Sequence, residues 1–128
     1  MPEKCQSNIN DRVDNKAQFL LFWGLPTLLM AITWLMKPSP LLTGTIWMGA
    51  LGWMGLACLR NARQCGRVHC FFSGPYFLLA AVSALVVGSQ WTQVLSINEF
   101  GLLLLIVSPL VCVLPEIFWG KYKNQKKT

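Results

Sequence analysis

The chain has 128 residues, is rich in apolar residues and carries a net charge of +6. Hydrophobic residues make up 54% and charged residues only 12%, where soluble domains carry about 25% charged residues. A soluble domain of this size has too high a surface-to-volume ratio to hide so much apolar surface. The same composition excludes a disordered or collagen-like chain. The sequence therefore predicts an integral membrane protein.

The first apolar region predicts two helices. From residue 17 to residue 59 the only charged side chain is Lys37. This region is too long for one membrane span, which takes about 20 residues, and is right for two. Pro38 and Pro40 follow Lys37 directly, and proline cannot continue a helix. We therefore predict helices at about 17–36 and 41–59.

The second apolar region also predicts two helices. Two stretches, 68–98 and 100–115, contain no charged residue. Pro75 suits the first position of a helix, where its missing N–H costs nothing. Helices are therefore predicted at about 76–95 and 100–119. We predict an all-α, polytopic membrane protein with four transmembrane helices, because helices satisfy their own backbone hydrogen bonds in lipid.

Basic residues predict the orientation. If the N-terminus is cytoplasmic, ten of the eleven Lys and Arg residues fall on the cytoplasmic side and only Lys37 falls outside. Cytoplasmic segments carry the excess of Lys and Arg, so both termini are predicted to be cytoplasmic. These residues flank the spans, where anionic lipid accounts for them, and no nucleic-acid partner is expected. The predicted plan is an N-terminal tail at 1–16, four helices within 17–119, a cytoplasmic loop at 60–74 and a basic tail at 120–128.

All five cysteines fall on the predicted cytoplasmic side, where thiols stay reduced. The densest group is Cys65, His69 and Cys70 in the predicted loop, beside Arg63 and Arg67, which would favour the thiolate. Thiolate and imidazole suit zinc, copper(I), mercury or another soft ion. The alternative interpretation is that the cysteines pack where the loop meets the membrane, while His69 hydrogen-bonds a helix end.

A carboxylate also lies inside the fourth predicted span. Glu116 follows Cys112 by four residues, so both share one helix face. A carboxylate at membrane depth is costly unless it is paired, which makes it a candidate for function. We predict Cys112 and Glu116 as a membrane-side part of the metal site. The alternative interpretation is a structural ion pair between Glu116 and an arginine of the loop.

Other sequence features favour packing over catalysis. Gly49, Gly52 and Gly55 form a strip of small residues on the second helix, which predicts a close helix contact. We find no Walker loop, no Ser/His/Asp set, no HExxH motif and no c-type haem attachment site. No enzymatic activity is expected from these motifs.

Four short motifs near the predicted loop and the last helix are similar to those of other membrane proteins. They are NARQCGRVHC at 61–70, SGP at 73–75, PE at 115–116 and GKY at 120–122. In these motifs the chain resembles a group of small prokaryotic four-span membrane proteins, which implies a fold and topology in the cytoplasmic (inner) membrane of a bacterium or archaeon, and no activity. More loosely, it is similar to inner-membrane mercuric-ion transport proteins. Those carry a vicinal cysteine pair in their first span, whereas residues 17–36 here contain no cysteine.

Three functions remain open at this point. The first is handling of a mercury- or copper-type ion through cytoplasmic-side thiols, by transport or by hand-off to a cytoplasmic thiol carrier. The second is a non-catalytic membrane subunit that packs on a partner or on a second copy of the chain. The third is a membrane thiol oxidoreductase that exchanges electrons with quinone. The predicted orientation argues against the third, since such enzymes usually serve the oxidising side of the membrane.

Overall fold

The protein is described by a computed structural model over residues 16–119, without the side chains of residues 64 and 65. This part of the chain forms four helices, each long and apolar enough to cross a membrane, which confirms the predicted all-α, four-span fold. Of the predicted tails at 1–16 and 120–128, Lys16 already belongs to the first helix and the remaining residues lie outside the description, so the orientation stays a prediction. The helices are α1 (Lys16–Met36), α2 (Pro40–Cys65), α3 (Val68–Gly88) and α4 (Ile97–Trp119).

The α1–α2 turn lies where the prolines predicted it. α1 stops at Lys37, whose left-handed backbone (φ 48°) lets its N–H donate to the carbonyl of Thr33 at 3.1 Å. The Ser39 hydroxyl accepts from the N–H of Leu42 and caps α2, and Pro40 occupies the first turn. Upstream, a π-helical stretch at Leu20–Gly24 precedes Pro26. Its wider turn relieves the clash that a proline ring makes with the preceding turn of an α-helix.

The α2–α3 junction differs from the prediction of a loop at 60–74. α2 continues to Cys65, and α3 already begins at Val68. The whole turn consists of Gly66 and Arg67. Gly66 has φ 64° and donates its N–H to the carbonyl of Ala62 at 2.8 Å, a left-handed helix end that glycine adopts without steric cost.

The third helix is shifted as a consequence. α3 ends at Gly88 rather than near residue 95, and Pro75 lies inside it instead of at its first position. The predicted loop was too long because Asn61, Arg67 and His69 are polar residues of the kind typical of loops. All three are buried, and each has a polar partner on another helix, so none needs a loop to reach water.

Glycines let α2 and α3 pack closely in antiparallel order. A Cβ added at Gly44 would lie 2.6 Å from the carbonyl oxygen of Ala84 and 2.7 Å from Cα of Gly88, so only glycine permits this approach. In the predicted strip, Gly55 does face α3, with Leu78 as its neighbour. A Cβ at Gly49 or Gly52 would meet nothing within 4 Å, so within residues 16–119 Gly55 alone of the three makes the close helix contact that the strip predicts.

Trp47 joins three helices in the core. It is 2% exposed, and its indole N–H donates to the hydroxyl of Thr33 on α1 at 2.8 Å. Gly101 on α4 leaves room for the Trp47 ring, because a Cβ there would come within 2.7 Å of it. α4 itself starts at a capping box in which Ser96 and Glu99 exchange hydrogen bonds, so it begins three residues earlier than predicted.

Candidate metal and thiol site

Two thiols meet between α2 and α3 near the turn at residues 66–67, which we name the cysteine end. Cys58 belongs to α2 and Cys70 to α3, and each is 0% exposed. Both belong to one cluster of buried core residues. They share this cluster because the two helices are joined by so short a turn that they run antiparallel and side by side. Twelve residues of sequence separate the two sulfur atoms that the fold brings together.

The Cys70 sulfur has two polar neighbours. The side-chain amide of Asn61 donates to it at 3.5 Å, and Nε2 of His69 lies 3.3 Å away. Asn61 is one turn after Cys58 on α2 and is fully buried. A sulfur that is offered an N–H donor and a ring nitrogen can exchange its proton locally, even though it is shielded from water.

A carboxylate from α4 orients the histidine. Oε1 of Glu116 lies 2.6 Å from Nδ1 of His69 and 3.0 Å from Nε of Arg67. Nε of Arg67 also lies 3.2 Å from Nδ1, so two groups compete for this nitrogen. An ionised carboxylate only accepts hydrogen bonds, so the shorter contact with Glu116 is a hydrogen bond when Nδ1 carries the hydrogen and Arg67 donates to Glu116 instead. In neutral His69 this leaves Nε2, the nitrogen beside Cys70, as an acceptor. Arg67 thereby anchors a chain of contacts that runs from the carboxylate through the imidazole to the thiol.

Burial increases along this chain of contacts. The side chain of Glu116 is 29% exposed, that of His69 is 10% exposed, and Cys70 is inaccessible. From the other side, Trp23 in the π-helical stretch of α1 packs against the core cluster that contains Cys58. The thiols therefore lie between a polar approach at Glu116 and an aromatic cover from α1.

The structure brings together residues that the sequence placed in two separate sites. His69 and Cys70 of the predicted loop contact Glu116 of the predicted membrane-side pair, directly or through one residue. The alternative interpretation of Glu116 as the partner of a loop arginine is confirmed as a contact, since Arg67 is that arginine.

The remaining predicted site residues lie elsewhere or outside the description. Cys112 is partly buried and packs against the core cluster that contains both thiols, yet within residues 16–119 no hydrogen bond links it to them. Arg63 is exposed, and Arg67 pairs with the carboxylate instead of facing the open loop predicted for it. Cys65 ends α2, and because its side chain is not described, its role as a ligand stays a prediction.

Sequence reasoning missed Cys58 and Asn61. Both were left at or beyond the predicted end of the second helix, and so neither was placed beside Cys70. A usable signal existed: Cys58 and Asn61 are three apart, as are Cys70 and Ser73, and this spacing places each pair on one helix face. The signal becomes visible only when both helices are extended through the polar residues between them.

The chemistry open to this arrangement is that of two thiols assisted by an imidazole. Among the described residues, no group of three or more His, Cys, Asp or Glu side chains is arranged to hold a metal ion. Two thiolates suffice for copper(I) or mercury(II), which form linear complexes with two sulfur ligands. Zinc takes four ligands in structural sites and three protein ligands in catalytic ones. The pair is therefore suited to a soft ion that accepts few ligands.

Comparisons of the chain with protein-family models, with curated proteins and with solved structures gave no match. The class of the protein follows from its own fold and site. It is a multi-pass helical membrane protein whose four candidate spans enclose a buried cluster of thiols, imidazole and carboxylate at one end.

Proposed function

We propose that the protein handles a soft metal ion of the mercury or copper type, with Cys58 and Cys70 as its sulfur ligands. The observation that carries the proposal is that these two thiols are fully buried on the neighbouring helices α2 and α3, within one core cluster. Thiolate ligands select soft ions. Polar groups within membrane helices are costly and mark functional sites more often than packing does.

The neighbours of the pair support the same proposal. His69 offers a third, nitrogen ligand or a proton acceptor beside Cys70, and Glu116 holds its ring in place. Outer partners of this kind orient metal-ligating histidines in proteins generally. The proposed site retains Cys70 and His69, which the sequence predicted, and adds Cys58. Cys112 and Cys65 are the residues whose contribution the experiment must decide.

The direct test is copper(I) binding by the purified, reduced chain in detergent. Copper(I) is supplied against a chromophoric chelator of known affinity, and one ion per chain is expected. Cys58→Ser and Cys70→Ser should each weaken binding by more than the roughly 10–100-fold loss typical of an outer-shell partner. Cys112→Ser, measured in the same way, decides whether this thiol, which packs on the same core, is a further ligand. Equal binding by Cys58→Ser and the native chain would reject the site.

We also propose that the cysteine end faces the cytoplasm in the inner membrane of a bacterium or archaeon. The bias of ten basic residues to one supports this orientation. It would let the site exchange its ion with a cytoplasmic thiol carrier. A reporter active only outside the cytoplasm should work when fused after Pro38 or Asn98, and stay silent after Gly66 or Thr128. Activity at Gly66 would reverse the orientation.

The alternative proposal is a non-catalytic membrane subunit. Its support is the open surface at Gly49 and Gly52, where small residues of α2 face no other part of the described chain. Small residues in membrane helices favour close contact between helices, here with a partner subunit or a second copy. A native chain that binds no soft ion, yet purifies as a defined complex or homo-oligomer, would favour this alternative.

A further inference from the structure

A cavity lies at the end of the helices opposite the cysteine end, between the last turn of α1 and the first turns of α2 and α4. Its volume is about 180 Å³, and it is partly open to the surroundings. Its walls are mostly apolar and include Trp34, Trp47, Pro40 and Ile97. Three polar residues also line it, which are Lys37, Thr43 and Asn98. Apolar walls with a few polar groups are typical of sites for small ligands.

Contacts within the protein hold the walls of this cavity in place. The indole of Trp47 is buried and donates to the hydroxyl of Thr33, and the ring of Trp34 packs edge-on against it with 6.3 Å between the ring centroids. Thr43 is also buried, and its hydroxyl donates to the carbonyl of Ser39 at 3.2 Å. The cavity is therefore present before any ligand binds.

Lys37 is the cation of this cavity, and its backbone conformation is uncommon for a lysine. Its φ of 48° lies in the left-handed region, which glycine or asparagine adopts at the end of a helix at lower cost. The side chain is exposed, and within residues 16–119 no carboxylate forms an ion pair with it. Residues held in such conformations cluster at binding sites. This indicates a role for the ammonium group beyond ending the helix.

The first turn of α4 adds hydrogen-bond donors to the same cavity. Ile97 and Asn98 are the first two residues of that helix, and N–H groups at the start of a helix have no partner within it. The positive end of the helix dipole lies there as well. The carboxylate of Glu99 accepts from the N–H of Ser96 at 2.9 Å, and among the described residues that line the cavity none is acidic. The electrostatics of the cavity therefore favour an anion.

We propose that this cavity binds a phosphate ester group, as carried by the head group of a phospholipid. The lysine ammonium suits phosphate as a point charge, and the amide of Asn98 can donate to a second oxygen. Helix ends lie at the level of the lipid head groups in a bilayer. Sites for whole drug-sized molecules measure about 300–1,000 Å³, so this cavity takes the phosphate and not the acyl chains. Leu35, Met36 and Leu41, which flank the cavity residues in sequence, are exposed and offer the acyl chains an apolar surface.

The test is binding by the purified native chain in a detergent without phosphate, measured by isothermal titration calorimetry. The probes are a short-chain phosphatidylglycerol, inorganic phosphate, and the diacylglycerol with the same acyl chains. Lys37→Met should weaken binding of phosphatidylglycerol about tenfold or more, the value of one hydrogen bond to a charged group. Equally tight binding of inorganic phosphate, with the same dependence on Lys37, would make free phosphate the source of the group. Failure of both phosphate compounds to bind, or equal binding of the diacylglycerol, would overturn the proposal.

Two further variants separate a specific site from general charge and from misfolding. Lys16→Met removes the same charge from the opposite end of α1 and should bind phosphatidylglycerol like the native chain. An equal loss in Lys16→Met would mean general attraction to an anionic lipid and would refute the site. Lys37→Gly places at a left-handed position the residue that adopts it most readily, so it should keep its thermal stability and still lose binding. Native affinity in Lys37→Gly would likewise refute the site.

The phosphate site and the soft-metal site can be tested independently. Neither Lys37→Met nor Lys37→Gly changes a residue of the cysteine end, so copper(I) binding should be native in both. A chain that binds phosphatidylglycerol and no copper(I) would refute the metal function alone, and the reverse result would refute the phosphate site alone.

Discussion

The two ends of the α2–α3 pair are packed by opposite means. At the end opposite the thiols, which we name the glycine end, Gly44 and Gly88 bring the two backbones into direct contact. No side chain lies between them. At the cysteine end the same helices enclose Cys58, Asn61 and Cys70, all fully buried, and the amide of Asn61 donates to the Cys70 sulfur. One pair of helices thus ends in bare backbone contact on one side and in a polar cluster on the other.

The difference separates packing from function. Helices in lipid associate through close van der Waals contact, which small residues provide at little cost. Buried polar groups do not improve such packing, because each must be compensated by hydrogen bonds. The glycine end shows that this fold holds α2 and α3 together without polar groups. The polar cluster at the cysteine end therefore calls for a chemical reason, and thiol chemistry supplies one.

The largest loss of stability is expected from a substitution at the glycine end. Gly44→Leu places a side chain where only 2.6 Å separates its Cβ from the carbonyl oxygen of Ala84, and backbone cannot move aside as a flexible side chain can. We expect a loss of about 3 kcal/mol or more in the free energy of unfolding, at or above the upper range for overpacked cores. Thermal unfolding in detergent and the yield of monodisperse protein measure it.

The matched control for this variant is Gly49→Leu. It makes the same change on the same helix at a position with nothing within 4 Å, so its effect should stay within about 0.5 kcal/mol. Equal destabilisation by Gly44→Leu and Gly49→Leu would show that loss of glycine in the helix, rather than backbone contact, governs stability. The contrast between the two ends would then lose its basis.

A smaller effect is expected from the carboxylate at the cysteine end. Glu116→Gln removes the negative charge opposite buried Arg67 and weakens the hold on His69. We expect a loss of about 2 kcal/mol, because a buried cation is left without its counter-charge. Chemical or thermal unfolding in detergent measures the stability, and copper(I) titration measures binding in the same preparation.

The control for Glu116→Gln is the same change at Glu99, an exposed carboxylate that caps α4 and lies far from the thiols along that helix. Glu99→Gln should destabilise the protein less and leave copper(I) binding unchanged. If Glu116→Gln kept full stability and instead abolished binding, Glu116 would be a direct ligand, as the sequence predicted, rather than an anchor for His69.

The smallest loss of stability is expected from a hydrogen bond that lies between the glycine end and the cysteine end. The hydroxyl of Tyr76 on α3 lies 3.3 Å from that of Ser108 on α4. Hydrogen bonds between membrane helices contribute about 0.6 kcal/mol on average, and we expect Tyr76→Phe to cost about that much. A double-mutant cycle with Ser108→Ala isolates the coupling of the two hydroxyls. A coupling above that of the Glu116 contacts would mean that the cysteine end is not the main polar anchor of α4.

Much of the fold could be predicted from the sequence alone. Charge-free stretches of span length predicted four helices, and Pro38 and Pro40 predicted the turn after α1. These features are local: the hydrocarbon thickness sets the length of a span, and a proline without an N–H ends a helix wherever it lies. Some of the site residues could also be predicted, since His69, Cys70 and Glu116 all belong to the observed cluster.

Only the tertiary structure decided how those residues are combined. The α2–α3 turn was predicted too long, because buried Asn61 and Arg67 look like solvent-exposed residues until their partners are known. Cys58 and Cys70 share one buried cluster because Gly66 turns the chain within two residues and glycines bring the helices together. Glu116 reaches His69 across 47 residues of sequence because α4 packs on α3. Such contacts depend on how whole helices pack against one another. Local sequence patterns do not contain the distances between residues on different helices.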